Sequence, residues 1–282
     1  MSSKPEFTFP ERVAYQLKRI SGLGARPNFL IIGGQKCAST ALYWNLTQHP
    51  GVLAARKKEP NYFSYRYGKG WRWYKSNFPS VFSVAYRKTI LRQAVTVGEA
   101  TTFYLSHPHA PSRVKERLPE VRLIAVLRNP IERAFSHYHH NMRKGSESLS
   151  FEEALDREEE RLDAERATAE HDPYFRKSAL HYFTYQTRGR YADHLDAWYA
   201  HFPKEQLLVV SSEAYRDRPA ETMQRVCAHL NLPAFDGFKH DRLNVGSYKD
   251  KMKPETRERL AAYFRPHNER LYRLLGEDYG WA

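Results

Sequence analysis

Hydrophobic positions along the chain fall into short unbroken runs separated by stretches of helical spacing. Phe29-Leu30-Ile31-Ile32, Val121-Arg122-Leu123-Ile124-Ala125-Val126-Leu127 and Gln206-Leu207-Leu208-Val209-Val210 read as buried strands, and Val95 to Gly98 as a shorter one leading into Glu99. Apolar residues at Val13, Leu17 and Ile20 predict a peripheral helix over 10–20, and Ala41, Leu42 and Leu46 predict another reaching about His49 before Pro50-Gly51 stops it. Helices are also predicted over Ile131–Arg143, where Pro130 suits the first helical position, over Pro219–Leu230 and over Pro254–Leu275. Phe151 to about Glu170 reads as an acidic-basic surface helix, and Tyr182 to Phe202 as an amphipathic one. Trp71, Trp73, Tyr74 and Phe78 form an aromatic stripe, which belongs in a core more often than on a ligand platform. Strands alternating with helices predict an α/β fold: one P-loop-like domain, a central parallel sheet flanked by helices on both faces, ligands at the strands' carboxyl ends. Residues 1–25 read as a peripheral segment of that single domain.

Chemistry concentrates where the first strand ends. Gly33-Gly34 breaks the strand, Lys36 follows, and Ser39-Thr40 opens a helix. Unpaired amides of a first helical turn, the helix dipole, one ammonium and two hydroxyls make an anion site. The loop is not a Walker A, because Lys36 lies inside the turn and Ala38 stands where a last glycine is expected. The strand ending at Leu127 delivers Arg128, where Mg²⁺-dependent P-loop enzymes deliver an aspartate, so negative charge is expected to be held by protein cations without a metal. Ser136 lies two turns into the next helix and can share an anion with Arg128. Arg56-Lys57-Lys58-Glu59-Pro60-Asn61 reads as a basic loop near the mouth of the sheet, since proline disfavours helix at Glu59.

Composition narrows the picture. Forty-five Lys and Arg against 32 Asp and Glu over 282 residues give +13, which calls for an anionic ligand or acidic partner. The cations are scattered among carboxylates and no nucleic-acid reading motif is present, so nucleic acid is not expected as a partner. Two cysteines, Cys37 and Cys227, build no disulfide framework. Cys37 sits in the anion loop without an obvious base, which makes it a small filling residue rather than a nucleophile. Neither a signal-like segment nor an apolar run of membrane-spanning length is visible, and a soluble, cytoplasmic protein is expected. Oligomeric state is not legible.

With both halves of the anion site in place, the chain resembles the sulfotransferases that use 3′-phosphoadenosine 5′-phosphosulfate (PAPS), most nearly the branch of the heparan sulfate N- and 3-O-sulfotransferases and their bacterial relatives. The resemblance runs from about Asn28 to the C-terminus. Gly34-Gln35-Lys36-Cys37-Ala38-Ser39-Thr40 matches the 5′-phosphosulfate loop, which usually has Gly and Thr where Ala38 and Ser39 stand. Leu127-Arg128-Asn129-Pro130 through Arg133-Ala134-Phe135-Ser136 matches the 3′-phosphate strand and helix, and Val245-Gly246-Ser247-Tyr248-Lys249 the loop closing over that phosphate. Lys58-Glu59-Pro60-Asn61-Tyr62-Phe63 matches the segment holding the catalytic base. Two departures stand out: Ala100 follows Glu99 where the heparan sulfate enzymes usually have Lys, and their late cysteine pair is absent.

The resemblance implies in-line sulfuryl transfer from PAPS to an acceptor hydroxyl or amine, releasing adenosine 3′,5′-bisphosphate (PAP). Lys36 and Glu59 would be catalytic; Gly34 to Thr40, Arg128, Ser136, Gly246, Ser247 and Tyr248 would bind the nucleotide. His107, His109, His137, His139 and His140 are alternative bases. An acceptor pocket is expected from the Glu59 loop, the Trp71–Phe78 segment and the helix after Arg128. The rival readings are a metal-dependent P-loop kinase and a non-catalytic polyanion binder.

Overall fold

The computed structural model of the chain describes residues 8–171, 179–239 and 251–281, so the expected phosphate loop at Gly246, Ser247 and Tyr248 lies outside the described residues. Five strands, β1 (Phe29–Gly33), β2 (Val52–Ala54), β3 (Thr96–Ala100), β4 (Arg122–Leu127) and β5 (Leu207–Ser211), form one parallel sheet in the order β2-β3-β1-β4-β5. In register, Leu30 stands opposite Glu99 on one side and Leu123 on the other, and Leu127 opposite Ser211. The chain leaves β1 toward β2 and β3, then crosses to β4 and β5. The carboxyl end of β1 is therefore the topological switch point, where open α/β sheets take ligands.

Helices α1 (Phe9–Ser21), α2 (Ser39–Leu46), α3 (Trp71–Lys75), α4 (Val81–Thr89), α5 (Ala110–Arg117) and α6 (Pro130–Arg143) come first in the chain. They are followed by α7 (Phe151–Asp156), α8 (Glu158–His171), α9 (Ala179–Tyr182), α10 (Tyr191–Tyr199), α11 (Ser212–Asp217), α12 (Pro219–His229) and α13 (Pro254–Leu275). Strand side chains alternate between the two faces. Phe29, Ile31, Ile124 and Val126 meet Leu42 and Leu46 of α2 and Met223 and Val226 of α12. Leu30, Ile32, Leu123 and Ala125 meet Tyr74, Val114, Trp198 and Leu271 on the other face. The α/β architecture with helices on both sides is as expected. The aromatic stripe is core, with Tyr74 and Phe78 buried in it.

Three helix predictions need correction. The helix after the anion loop ends at Leu46 rather than His49. Phe151–Glu170 is broken at Arg157 into α7 and α8. Its charged residues Glu153, Asp156, Arg157, Glu159 and Glu160 are exposed, as expected, but Glu158 is buried and its carboxylate accepts the amides of Gln186 and Thr187 at 2.6 and 2.8 Å. Of the continuous helix expected over Tyr182–Phe202 only α10, Tyr191–Tyr199, is helical as expected; α9 ends at Tyr182, and the stretch between them holds a 3-10 turn at Thr187–Gly189. Gly189 lies so close to Phe264 that a Cβ would stand 2.6 Å from its ring, which ties this turn against α13.

Candidate active site

The anion loop leaves β1 at Gly33, where a Cβ would stand 2.6 Å from that of Leu105, and runs into α2. Lys36 and Ala38 both have left-handed backbone, φ 67° and 64°. An alternation of this kind turns successive amides toward one concavity. The amides of Ser39, Thr40 and Ala41 in the first turn of α2 have no acceptor among the described residues. Gly34 is different: its N–H donates to Val126 O at 2.5 Å, so it anchors the loop to β4 rather than facing a ligand. The Gln35 carboxamide accepts from buried Arg188, leaving Gln35 to contribute through its main chain. Cys37 is fully buried, 3.8 Å from the Tyr191 hydroxyl, and burial pushes its thiol up to about 11. It fills the loop from beneath, as expected. The Lys36 ammonium has no hydrogen-bond or ion-pair partner among the described residues; burial first, then Arg143, Arg128 and Lys144, lowers its pKa.

Arg128 follows β4 directly. Its guanidinium donates to Lys36 O at 3.3 Å, which brings the strand end to the loop. Its carbonyl accepts from the Tyr191 hydroxyl at 2.8 Å. Asn129 caps α6 by accepting the Ile131 amide at 3.0 Å. Ser136, nearly fully buried, reaches the same cleft from two turns along α6.

The Glu59 loop closes the other side, and it is stitched to the end of β3 at alternate residues. The Glu59 amide donates to Ala100 O at 3.0 Å, that of Asn61 to Thr101 Oγ1 at 3.4 Å and that of Phe63 to the Tyr104 hydroxyl at 3.3 Å. Those two hydroxyls in turn donate to Glu99, at 2.6 and 2.9 Å, and Tyr74 adds a third donor at 3.2 Å. Glu99 is thus a fully buried hub, and burial pushes its carboxyl up to about 7 against the pull of the three hydroxyls. Glu59 has φ 55° and Asn61 φ 56°. Burial raises the Glu59 carboxyl, but the Lys58 ammonium at 2.9 Å and the Thr102 hydroxyl at 3.2 Å outweigh it, and its pKa lies below the ordinary carboxylate value.

One cleft of about 1030 Å³ unites these parts; Lys36, Ser39, Thr40, Glu59, Arg128 and Ser136 all line it. Further lining comes from residues that sequence reasoning missed. Arg143 and Lys144 close α6, where cations read as ordinary complements to the helix dipole. Tyr65, Phe103, His181 and Tyr182 line the end near Glu59. The Trp71–Phe78 segment does not line the cleft; its buried rings belong to the core beneath, which corrects the expected acceptor pocket. Of the five histidines named as alternative bases, only His140 lines the cleft, and burial followed by Lys144 and Lys36 lowers it to about 4. His107 and His137 are buried and their protonation is suppressed chiefly by that burial, His107 to about 2.

Residues 26–244 match the sulfotransferase domain family. Among curated proteins the chain is 27% identical to the membrane-associated sulfotransferase kil1 of Dictyostelium discoideum, covering 90% of this chain and 66% of that protein. It is 29% identical to human heparan sulfate glucosamine 3-O-sulfotransferase 6, over 99% of this chain and 81% of the relative. Among solved structures, a sulfotransferase from Alicyclobacillus acidocaldarius superposes with TM-score 0.67 at 30% identity, covering 90% of this chain and 97% of that one. Because the matched segment takes in well over half the sequence and contains every strand of the sheet, the chain belongs to the sulfotransferase family of enzymes.

Proposed function

We propose that the chain transfers a sulfuryl group from PAPS to a hydroxyl or amine of a carbohydrate or small-molecule acceptor by in-line displacement, releasing PAP. The observation that carries this reading is the meeting of Lys36, the free α2 amides, Arg128, Ser136 and Glu59 in one cleft. The residues suit such a nucleotide: Lys36 is a half-buried ammonium among other cations, with no anion beside it, and a ligand with separate anionic groups supplies the missing charge. When bound, the nucleotide provides the activated sulfuryl group.

The protein's own residues do the rest. Lys36 and the amides of Ser39 and Thr40 bind the 5′ end; Arg128 and Ser136 bind the 3′-phosphate. Lys36 stabilises charge building on the departing oxygen, an interaction concentrated in the transition state and worth about 3–4 kcal/mol. Glu59, ionised at neutral pH and oriented by Lys58 and Thr102, takes the acceptor proton. Tyr65, Phe103, His181 and Tyr182 offer ring faces rather than charge at that end, which suits a ring-bearing acceptor. A transfer assay with ³⁵S-labelled PAPS over an acceptor panel tests the reading. Labelled product from the wild type and about 10³-fold slower labelling by Lys36→Ala support it. PAP-independent binding of Mg-ATP with phosphoryl transfer refutes it.

A further inference from the structure

A surface helix of a globular protein turns its apolar stripe inward. Helix α1 does the reverse. Phe9, Val13, Leu17 and Ile20 share one face, yet no residue of α1 is buried, and Phe9, Leu17 and Ile20 are 79%, 61% and 74% exposed. What meets the body is the opposite side: the Arg56 guanidinium lies 4.5 Å over the Tyr15 ring, and Lys18 Nζ donates to Phe78 O at 2.5 Å. Helix α4 repeats the arrangement. Val84 packs on the core while Phe82, Tyr86 and Ile90 face outward, 67%, 54% and 67% exposed. The two exposed faces join where the Val81 amide donates to Leu23 O at 2.9 Å and Gly24 pairs with Ser80.

Ten of the twelve large hydrophobic residues exposed among the described residues lie on 9–23 and 81–91, so the apolar surface is concentrated rather than scattered. Charge is concentrated with it. Residues 8–27 and 71–94 carry nine Lys and Arg and a single acid, Glu11. The Glu11 carboxylate is engaged in capping α1, accepting from the Thr8 amide and hydroxyl at 2.8 and 2.9 Å.

We propose that α1 and α4 form an interfacial face that seats the protein on an anionic phospholipid surface, apolar side chains below the headgroups and flanking cations among them. A second copy of the chain fits this face poorly, because a two-fold contact would bring the outward cations of both segments together, and the Glu11 carboxylate of each copy is already engaged in capping α1. Helix α1 has 13 residues, about 20 Å of length, so it lies in the interface rather than crossing it.

The test uses the full chain and sedimentation with vesicles of phosphatidylcholine alone or mixed with phosphatidylglycerol. Binding is expected only to the anionic vesicles, and the charge-neutral triple variant Leu17→Ser, Ile20→Ser, Phe82→Ser should bind at least about tenfold more weakly while keeping wild-type turnover on a soluble acceptor. Both native cysteines are buried, so Leu17→Cys can be labelled alone with an environment-sensitive dye, whose emission should shift blue on anionic vesicles. Equal binding by variant and wild type would mean adsorption by charge alone and would overturn the proposal. An unshifted dye overturns it too, as does a dimer, detected without vesicles, that the triple variant abolishes.

Discussion

The two loops that face each other across the cleft are built alike and charged oppositely. Each carries a pair of left-handed residues two apart, Lys36 with Ala38 and Glu59 with Asn61, and each is pinned to a strand end by main-chain hydrogen bonds. In the first loop the charged group is left without a partner, an ammonium among cations. In the second it is already neutralised, a carboxylate held by Lys58 and Thr102. The difference teaches how such a cleft divides its work. The Lys36 side is electrostatically incomplete until an anionic ligand arrives, so affinity resides there. The Glu59 side is preorganised around a base of modest strength, so it governs proton transfer and acceptor choice.

The comparison breaks most severely at Lys36. Lys36→Ala should lower turnover about 10³-fold, the scale of losing one preorganised charge-stabilising group, read by single-turnover transfer assays. Glu59→Gln should cost about 10²-fold, the lower end of general-base effects, because a carboxyl with a depressed pKa is a weaker base. Affinity for PAP should survive that change; an equal loss of binding would make the Lys58–Glu59 pair structural.

Two pH profiles sharpen the same contrast. With Glu59 below its ordinary value, the acid limb of kcat/KM should lie below the usual carboxylate range, and Lys58→Ala should move it upward as burial prevails. Glu99 works in the opposite sense. Its folded-state pKa of about 7 exceeds the unfolded value near 4.3, so its contribution to stability is full below that value and fades as pH rises through 7. Thermal stability should therefore fall over that window, and Glu99→Gln should flatten the decline. The smallest effect is expected at Ala38, where a left-handed alanine stands at the usual glycine position: Ala38→Gly should stabilise by about 1 kcal/mol in denaturant titrations.

Much of this architecture is legible in the sequence. Apolar runs at Phe29–Ile32 and Leu123–Leu127, too short for helices and bounded by turn signals, read as buried parallel strands, and Pro130, Pro219 and Pro254 mark helix starts because proline lacks the amide a first turn does not need. The three residues of β2 are too few to show a period. The breaks at Arg157 and Gly189 depend on partners more than 25 residues distant, Gln186 for Glu158 and Phe264 for Gly189, which no local pattern reveals. The same limit applies to the site. Lys36, Arg128 and Glu59 announce themselves through local motifs, while Arg143, Lys144 and His181 join the cleft only through folding. Glu99 reads as a polar strand end until its three hydroxyl partners are seen.

The central claim is that Lys36 and Arg128 clasp opposite ends of one nucleotide, and calorimetric titration of PAP against adenosine 5′-monophosphate tests it most directly. The wild type should prefer the bisphosphate, Arg128→Ala should erase that preference while leaving the monophosphate's affinity unchanged, and Lys36→Ala should weaken both. A preference for the bisphosphate that persists undiminished in Arg128→Ala would contradict the account.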